Sequence, residues 1–183
     1  MTCVVAVKDA GRVTLAGDLE GQEGWNKTAR SDSKVFRRGS YAIGFTTSYR
    51  MGQALQYLGG DPPEPLPGQN MHAFMVREWI EWARGVLSEA GYSRKESEQE
   101  FGGEFLVARE DHLFIIGADF QVGIPSDSFA AIGCGSAYAL GALAVLASEF
   151  SGPEVARQAI EIASRFCNGV GPWSTVVVTE SAE

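Results

Sequence analysis

Thr2 directly follows the initiator methionine and precedes an apolar run, Cys3-Val4-Val5-Ala6-Val7. Removal of Met1 is expected before so small a residue, and it would leave a hydroxyl and a free α-amine on one residue. An α-amine titrates near pH ~7.7–8.0, so at neutral pH a fraction of it can accept a proton. Nucleophile and base then sit together, the N-terminal variant of nucleophilic catalysis. Retention of Met1 would block the amine and this chemistry with it.

Other chemistry-bearing residues form weaker patterns. His72 and His112 read as surface residues far apart, one on a helix and one in a turn. Cys3, Cys134 and Cys167 are odd in number and widely spaced, so neither a disulfide framework nor a zinc site follows from them. No metal and no cofactor is expected. Cys3 should face away from Thr2 and pack in the core. Gly133-Cys134-Gly135 is not a dinucleotide fingerprint, because Tyr138 stands in place of the third glycine.

The chain has 183 residues, 45% of them hydrophobic, and a formal net charge of −8. That length suits a single domain over 1–183 with a sizeable core. The negative balance argues against nucleic acid as a partner, since phosphate binding needs clustered Lys and Arg. Arg37-Arg38 reads as a solvated strand end. The apolar run at Cys3–Val7 is too short to span a membrane and lacks a secretory pattern, so a cytoplasmic location is expected.

The elements that must position Thr2 follow from periodicity. Thr2 to Lys8 is a continuous apolar run, as for a strand buried on both faces. Asp9-Ala10-Gly11 turns the chain into a second strand, Arg12 to Ala16. Asp18 to Ser33 is polar and reads as a surface loop. Strands are expected from Lys34 and over Tyr41 to Phe45. A helix over Thr46 to Leu58 carries Met51, Ala54, Leu55 and Leu58 on one face. The longest helix, Met71 to Ala90, has an apolar stripe of Met75, Trp79, Ala83, Val86 and Ala90, and Trp79 and Trp82 read as packing aromatics. Tyr92 to Gln99 reads as a charged loop or frayed helix end. Strands over Glu104 to Arg109, Leu113 to Ala118, Gln121 to Ile124 and Ser128 to Ile132 precede helices over Ser136 to Phe150 and Pro153 to Cys167. A last strand spans Ser174 to Thr179. This order stacks as two sheets with helices on both outer faces.

With these residues in place, the chain resembles proteasome β-type subunits, and most of all the bacterial HslV-type peptidases, over nearly its whole length. The likeness rests on Thr2-Cys3-Val4-Val5-Ala6-Val7 with Gly11 and Ala16-Gly17-Asp18, and on Lys34-Val35 at the family's lysine position. It rests further on Ala131-Ile132-Gly133-Cys134-Gly135-Ser136, similar to a Gly-Ser-Gly motif that opens a helix, and on Ala159-Ile160-Glu161-Ile162-Ala163. The resemblance implies an α/β fold, a four-layer αββα sandwich of two mainly antiparallel sheets known as the N-terminal nucleophile (Ntn) hydrolase fold. It also implies a threonine-type endopeptidase acting on peptides or unfolded protein. The partners it implies are further copies in homo-oligomeric rings and a separate ATP-dependent unfoldase.

By the same resemblance, Thr2 attacks the peptide carbonyl to form an ester that water hydrolyses. Lys34 favours the alkoxide and lowers the pKa of the nearby amine, and Asp18 holds the lysine by a charge-assisted bond. The oxyanion is met by a main-chain N–H after Phe45, with Thr47 the candidate where the family tends to carry glycine. Cys134 and Gly135 are grouped with it on the oxyanion and substrate side, and Thr46 to Arg50 would line the pocket. The chain departs from the pattern in three respects. Cys134 replaces the motif serine, and a thiol is a poorer hydrogen-bonding group. Ser164-Arg165-Phe166-Cys167-Asn168 lacks the family's aspartate, and Gly169-Val170 lacks the hydroxyl residue that follows it. A non-catalytic ring or shell subunit and a small-molecule amidase on this scaffold are the alternative readings.

Overall fold

A computed structural model describes residues 1–92, 94–96 and 99–181. In chain order the elements are β1 (Val4–Asp9), β2 (Arg12–Asp18), β3 (Glu20–Glu23), β4 (Asn26–Ala29), β5 (Val35–Arg38), β6 (Tyr41–Phe45) and α1 (Tyr49–Tyr57). Then come α2 (Met71–Phe74), a π-helical turn (Met75–Trp79) that continues it into α3 (Ile80–Glu89), β7 (Arg94–Glu96), β8 (Gln99–Phe101), β9 (Phe105–Arg109) and β10 (His112–Ile116). The chain closes with β11 (Val122–Gly123), β12 (Phe129–Ile132), α4 (Ser136–Leu146), α5 (Gly152–Phe166) and β13 (Ser174–Val178).

Two antiparallel sheets form the centre, one in the order β12-β1-β2-β13 and the other β11-β10-β9-β6-β5. The alternation along β1 shows why its run is unbroken. Val4 and Ala6 enter the core between the sheets, where they meet Val35, Ala42, Leu106 and Ala108. Cys3, Val5 and Val7 point the other way, into a core shared with Ala139, Leu143, Ala156, Ile160 and Ala163 of α4 and α5. Both faces of an inner strand are thus covered, which excludes polar residues from either parity. The second sheet buries Tyr41, Ile43, Phe45, Phe105 and Val107 against α1 and the long helix. Helices, sheet, sheet and helices give the expected four layers.

The Met75, Trp79, Ala83 and Val86 stripe is buried as the spacing predicts, and Ala90 packs against it. The Trp79 ring lies 6.1 Å from Tyr41, 5.9 Å from Phe105 and 5.4 Å from Trp82. Burying an aromatic of this kind is worth roughly 1.5–3 kcal/mol, so the cluster anchors the helical layer to its sheet. On α1, Met51, Ala54 and Leu55 are buried and Leu58 is not.

Three expectations need correction. Asp18 to Ser33 is not a plain loop, because β3 and β4 pair as a hairpin with the register Glu20↔Ala29 to Glu23↔Asn26. Its residues are mostly polar, and the buried Gly21 has no side chain, so no apolar alternation marks it. Of the stretch Tyr92 to Gln99, read as loop or frayed helix, residues 94–96 and 99 are strand, while residues 93, 97 and 98 lie outside the described residues. Arg38 is not merely solvated. Its guanidinium donates to the carbonyls of Leu55 and Leu58 at 2.6 and 2.8 Å and to those of Gly59 and Gly60 at 3.0 and 2.8 Å. It therefore caps the end of α1, where orphan carbonyls and the helix dipole favour a cation. Among the described residues, no helix is long and apolar enough to cross a membrane.

Candidate active site around residue 2

Residue 2 lies where three stretches converge: the start of β1, the end of β2 and the turn that opens α4. Its parity matches Val4 and Ala6, so its side chain belongs to the mouth between the sheets, and it is 5% exposed. The Thr2 hydroxyl donates to the Met1 carbonyl.

Beneath it lies a buried ion pair. Lys34 Nζ donates to Asp18 Oδ1 at 2.9 Å and to the Glu20 carbonyl at 2.6 Å. Both side chains are almost wholly buried, 1% exposed for Lys34 and 0% for Asp18. Asp18 Oδ1 also accepts the Cys3 amide at 2.8 Å, while Oδ2 accepts the amides of Glu20 at 3.1 Å and Gly171 at 3.2 Å. Four donors fill the acceptor capacity of a carboxylate. Asp18 is therefore a fixed counter-charge that ties four stretches together, and it has no spare lone pair for moving protons. Lys34 retains one of its three N–H donors. Tyr49 stands over this pair, its ring centroid 5.7 Å from Lys34 Nζ and 3.8 Å from the Arg30 guanidinium carbon. Burial pushes the Tyr49 phenol well above its usual range. It likewise pushes the Cys3 thiol, helped by the Asp18 charge, up to about 12, so Cys3 is an inert packing residue.

On another side, residue 2 meets backbone and sulfur. Gly133 has φ +91°, and a Cβ there would come within 2.3 Å of the Thr2 carbonyl oxygen. Only glycine permits both the angle and the approach. The Gly135 amide, at the cap of α4, donates to that same oxygen at 3.3 Å. The Thr2 amide donates to Cys134 Sγ at 3.3 Å, and Cys134 Sγ lies 3.4 Å from the Thr2 carbonyl oxygen and 3.7 Å from that of Gly169. With Met1 in place, a Cβ at residue 169 would come within 2.5 Å of Met1 Cβ and 2.7 Å of Cys134 Sγ. Cys167 Sγ stands 3.6 Å from Cys134 Sγ.

A cleft of about 580 Å³ opens beside residue 2. Thr46, Thr47, Ser48 and Tyr49 form one wall, as expected, although Arg50 takes no part. Gln22, Thr28 and Arg30 of the β3–β4 hairpin region form another, a contribution hidden in the sequence because that segment read as a loop. Thr47 has φ +71°, and the Ser48 amide donates to the Thr46 carbonyl at 2.8 Å across it. This is the γ-turn that is ordinarily rare and strained, held here by a β-branched residue for which positive φ is an outlier. Among the described residues the Thr47 amide has no protein acceptor.

The structure thus brings Thr2, Asp18, Lys34, Thr47, Cys134 and Gly135 to one place. Cys134 and Gly135, expected with Thr47 on the oxyanion and substrate side, do not line the cleft. Their polar groups are turned to the backbone of residue 2, because the helix opening must pack against the first strand. Cys167 carried no signal beyond its type. His72 and His112 are not far apart, since both border one shallow depression with Lys8 and Phe114, but among the described residues no cluster that could hold a metal includes them.

No protein-family profile matches the chain. Two curated proteins named ATP-dependent protease subunit HslV are similar to it, each 28% identical and each aligned over 91% of both chains. They come from Caldicellulosiruptor saccharolyticus, over 171 residues, and from Caldanaerobacter subterraneus subsp. tengcongensis, over 179 residues. Among solved structures, BPH of Thiobacillus denitrificans superposes with a TM-score of 0.79 at 23% identity, covering 98% of both chains. The same protein in complex with epoxomicin gives 0.79 at 24%, covering 99% of this chain and 100% of that one. Eukaryotic HslV from Trypanosoma brucei gives 0.67 at 19%, covering 96% and 98%. The fold is that of the Ntn hydrolases, and by sequence the chain is similar to proteins named as HslV protease subunits.

Proposed function

We propose that this chain is a threonine-type endopeptidase in which Thr2, exposed by removal of Met1, is the nucleophile. The observation that carries the reading is the buried Lys34–Asp18 pair beside residue 2. Such a pair is costly to desolvate, and a fold gains little from it unless its charge is used. The Thr2 hydroxyl attacks the peptide carbonyl and gives its proton to the α-amine, which passes it to the leaving amine. Water then hydrolyses the ester by the reverse route. Lys34 turns its remaining N–H towards the hydroxyl and favours the alkoxide, while the uncommitted Thr47 amide receives the oxyanion. Similarity to proteins named as protease subunits supports the activity, and the open cleft suits a peptide or an unfolded chain.

Assembly into homo-oligomeric rings belongs to the same proposal. Helix α4 has no charged residue and leaves Tyr138, Leu140 and Val145 exposed, and a helix apolar all round is ordinarily covered. The curated relatives' names make them subunits of an ATP-dependent protease. A separate unfoldase in the cytoplasm would therefore supply substrate. The departures at Cys134 and Ser164 to Asn168 favour the second reading, a non-catalytic shell subunit.

Intact mass before and after a peptide epoxyketone separates the two. Loss of Met1 and one stoichiometric adduct, absent from Thr2→Ala, is the expected result. A chain that keeps Met1 and takes no adduct would be the shell subunit.

A further inference from the structure

The end of α5 and the opening of α4 bring together two cysteines that the proposed reaction does not consume. Cys134 is exposed and Cys167 half-buried, both are free thiols, and their sulfurs are 3.6 Å apart. A disulfide needs about 2.05 Å, so closure asks for about 1.5 Å of approach, within reach of side-chain rotation. Cys167 is the cap residue of α5, its amide donating to the Ala163 carbonyl, and the Val170 amide donates to its own carbonyl at 3.1 Å. Its backbone is therefore held while its side chain faces Cys134.

We propose that Cys134 and Cys167 are a modification site, an intrachain disulfide formed reversibly by hydroperoxides, which draws the Cys134 sulfur away from residue 2. Exposure makes Cys134 the first to react. Its thiolate attacks hydrogen peroxide and breaks the O–O bond, giving a sulfenic acid and water once the hydroxide is protonated. The Cys167 sulfur attacks that sulfur, closes the S–S bond and expels a second water. Two thiols lose two electrons and two protons, and the peroxide takes them up. Burial pushes the Cys167 thiol upward, which suits the second role better than the first. Cys3, 0% exposed, stays out of the exchange. Once bridged, Cys134 has no S–H to offer the carbonyls of Thr2 and Gly169, and the contact between its sulfur and the Thr2 nitrogen is loosened. The effect on turnover rests on the peptidase reading; the bridge itself does not.

The test treats the full chain, reduced beforehand, with stoichiometric hydrogen peroxide, followed by alkylation and digestion without reductant. A Cys134–Cys167 linked peptide is expected, with Cys3 unbridged, an intact mass lower by about two hydrogens, and full reversal by dithiothreitol. In Cys167→Ser, the same peroxide should carry Cys134 on to sulfinic acid, which dithiothreitol does not reverse. Turnover of a fluorogenic peptide should fall roughly tenfold on oxidation of the natural chain, the size of one lost hydrogen bond, and should recover with dithiothreitol. Reduced Cys167→Ser should match the natural chain. Absence of the linked peptide, a bridge to Cys3, or covalent dimers through Cys134 would overturn the proposal, as would a bridge that leaves turnover unchanged. A reduced chain with no turnover would instead refute the peptidase reading, with the linked peptide still deciding the modification.

Discussion

Residue 2 is held between two unlike neighbourhoods. On one side are nitrogen, oxygen and full charge: Asp18 takes four donors, and Lys34 is buried against it. On the other are sulfur and neutral dipoles, with an exposed Cys134 whose contacts lie between 3.3 and 3.7 Å. The charged side is over-determined, because each bond there also closes a junction between strands. The sulfur side is soft and open to reagents. A site made this way fixes residue 2 from the charged side and leaves the sulfur side adjustable.

The largest break in this contrast should come from Asp18→Asn. It leaves the Lys34 ammonium buried without a counter-charge, and breaking such a pair typically costs about 3–5 kcal/mol. A denaturant midpoint should fall accordingly, and any reaction of Thr2 with an epoxyketone should be lost. An unchanged midpoint would mean that the pair does not hold the strands together.

A smaller loss is expected from Gly133→Ala, which acts on the backbone of the sulfur side rather than on its sulfurs. Its Cβ would meet the Thr2 carbonyl at 2.3 Å in a left-handed conformation, so the turn or the first strand must shift, at about 1–3 kcal/mol. Thermal melting reads this directly. The smallest effect belongs to Cys134→Ser, which keeps a donor and an acceptor beside residue 2 and should change stability by less than about 1 kcal/mol. A loss as large as that of Asp18→Asn would erase the distinction between the two sides.

Much of the fold was legible because burial on two faces leaves a direct trace. The unbroken valine run of β1 and the Met75–Trp79–Ala83–Val86 stripe could each be satisfied in only one way. The β3–β4 hairpin left no such trace, since its strand β4 is exposed throughout and its pairing rests on backbone bonds that no side-chain pattern records. Arg38 was misread for a related reason: a cap to four carbonyls depends on where a distant helix ends.

In the site, residue types and positions alone singled out Thr2 and, through the resemblance, Lys34, Asp18, Thr47, Cys134 and Gly135. Sequence determines which groups are present and which runs must be buried, because solvation acts on each segment wherever it goes. Only the tertiary structure decided that Asp18 has no free lone pair, that Cys134 and Gly135 face backbone rather than cleft, and that Cys167 stands within bonding reach of Cys134. These are distances between segments far apart in the chain, and they exist only once two sheets and two helix layers have packed.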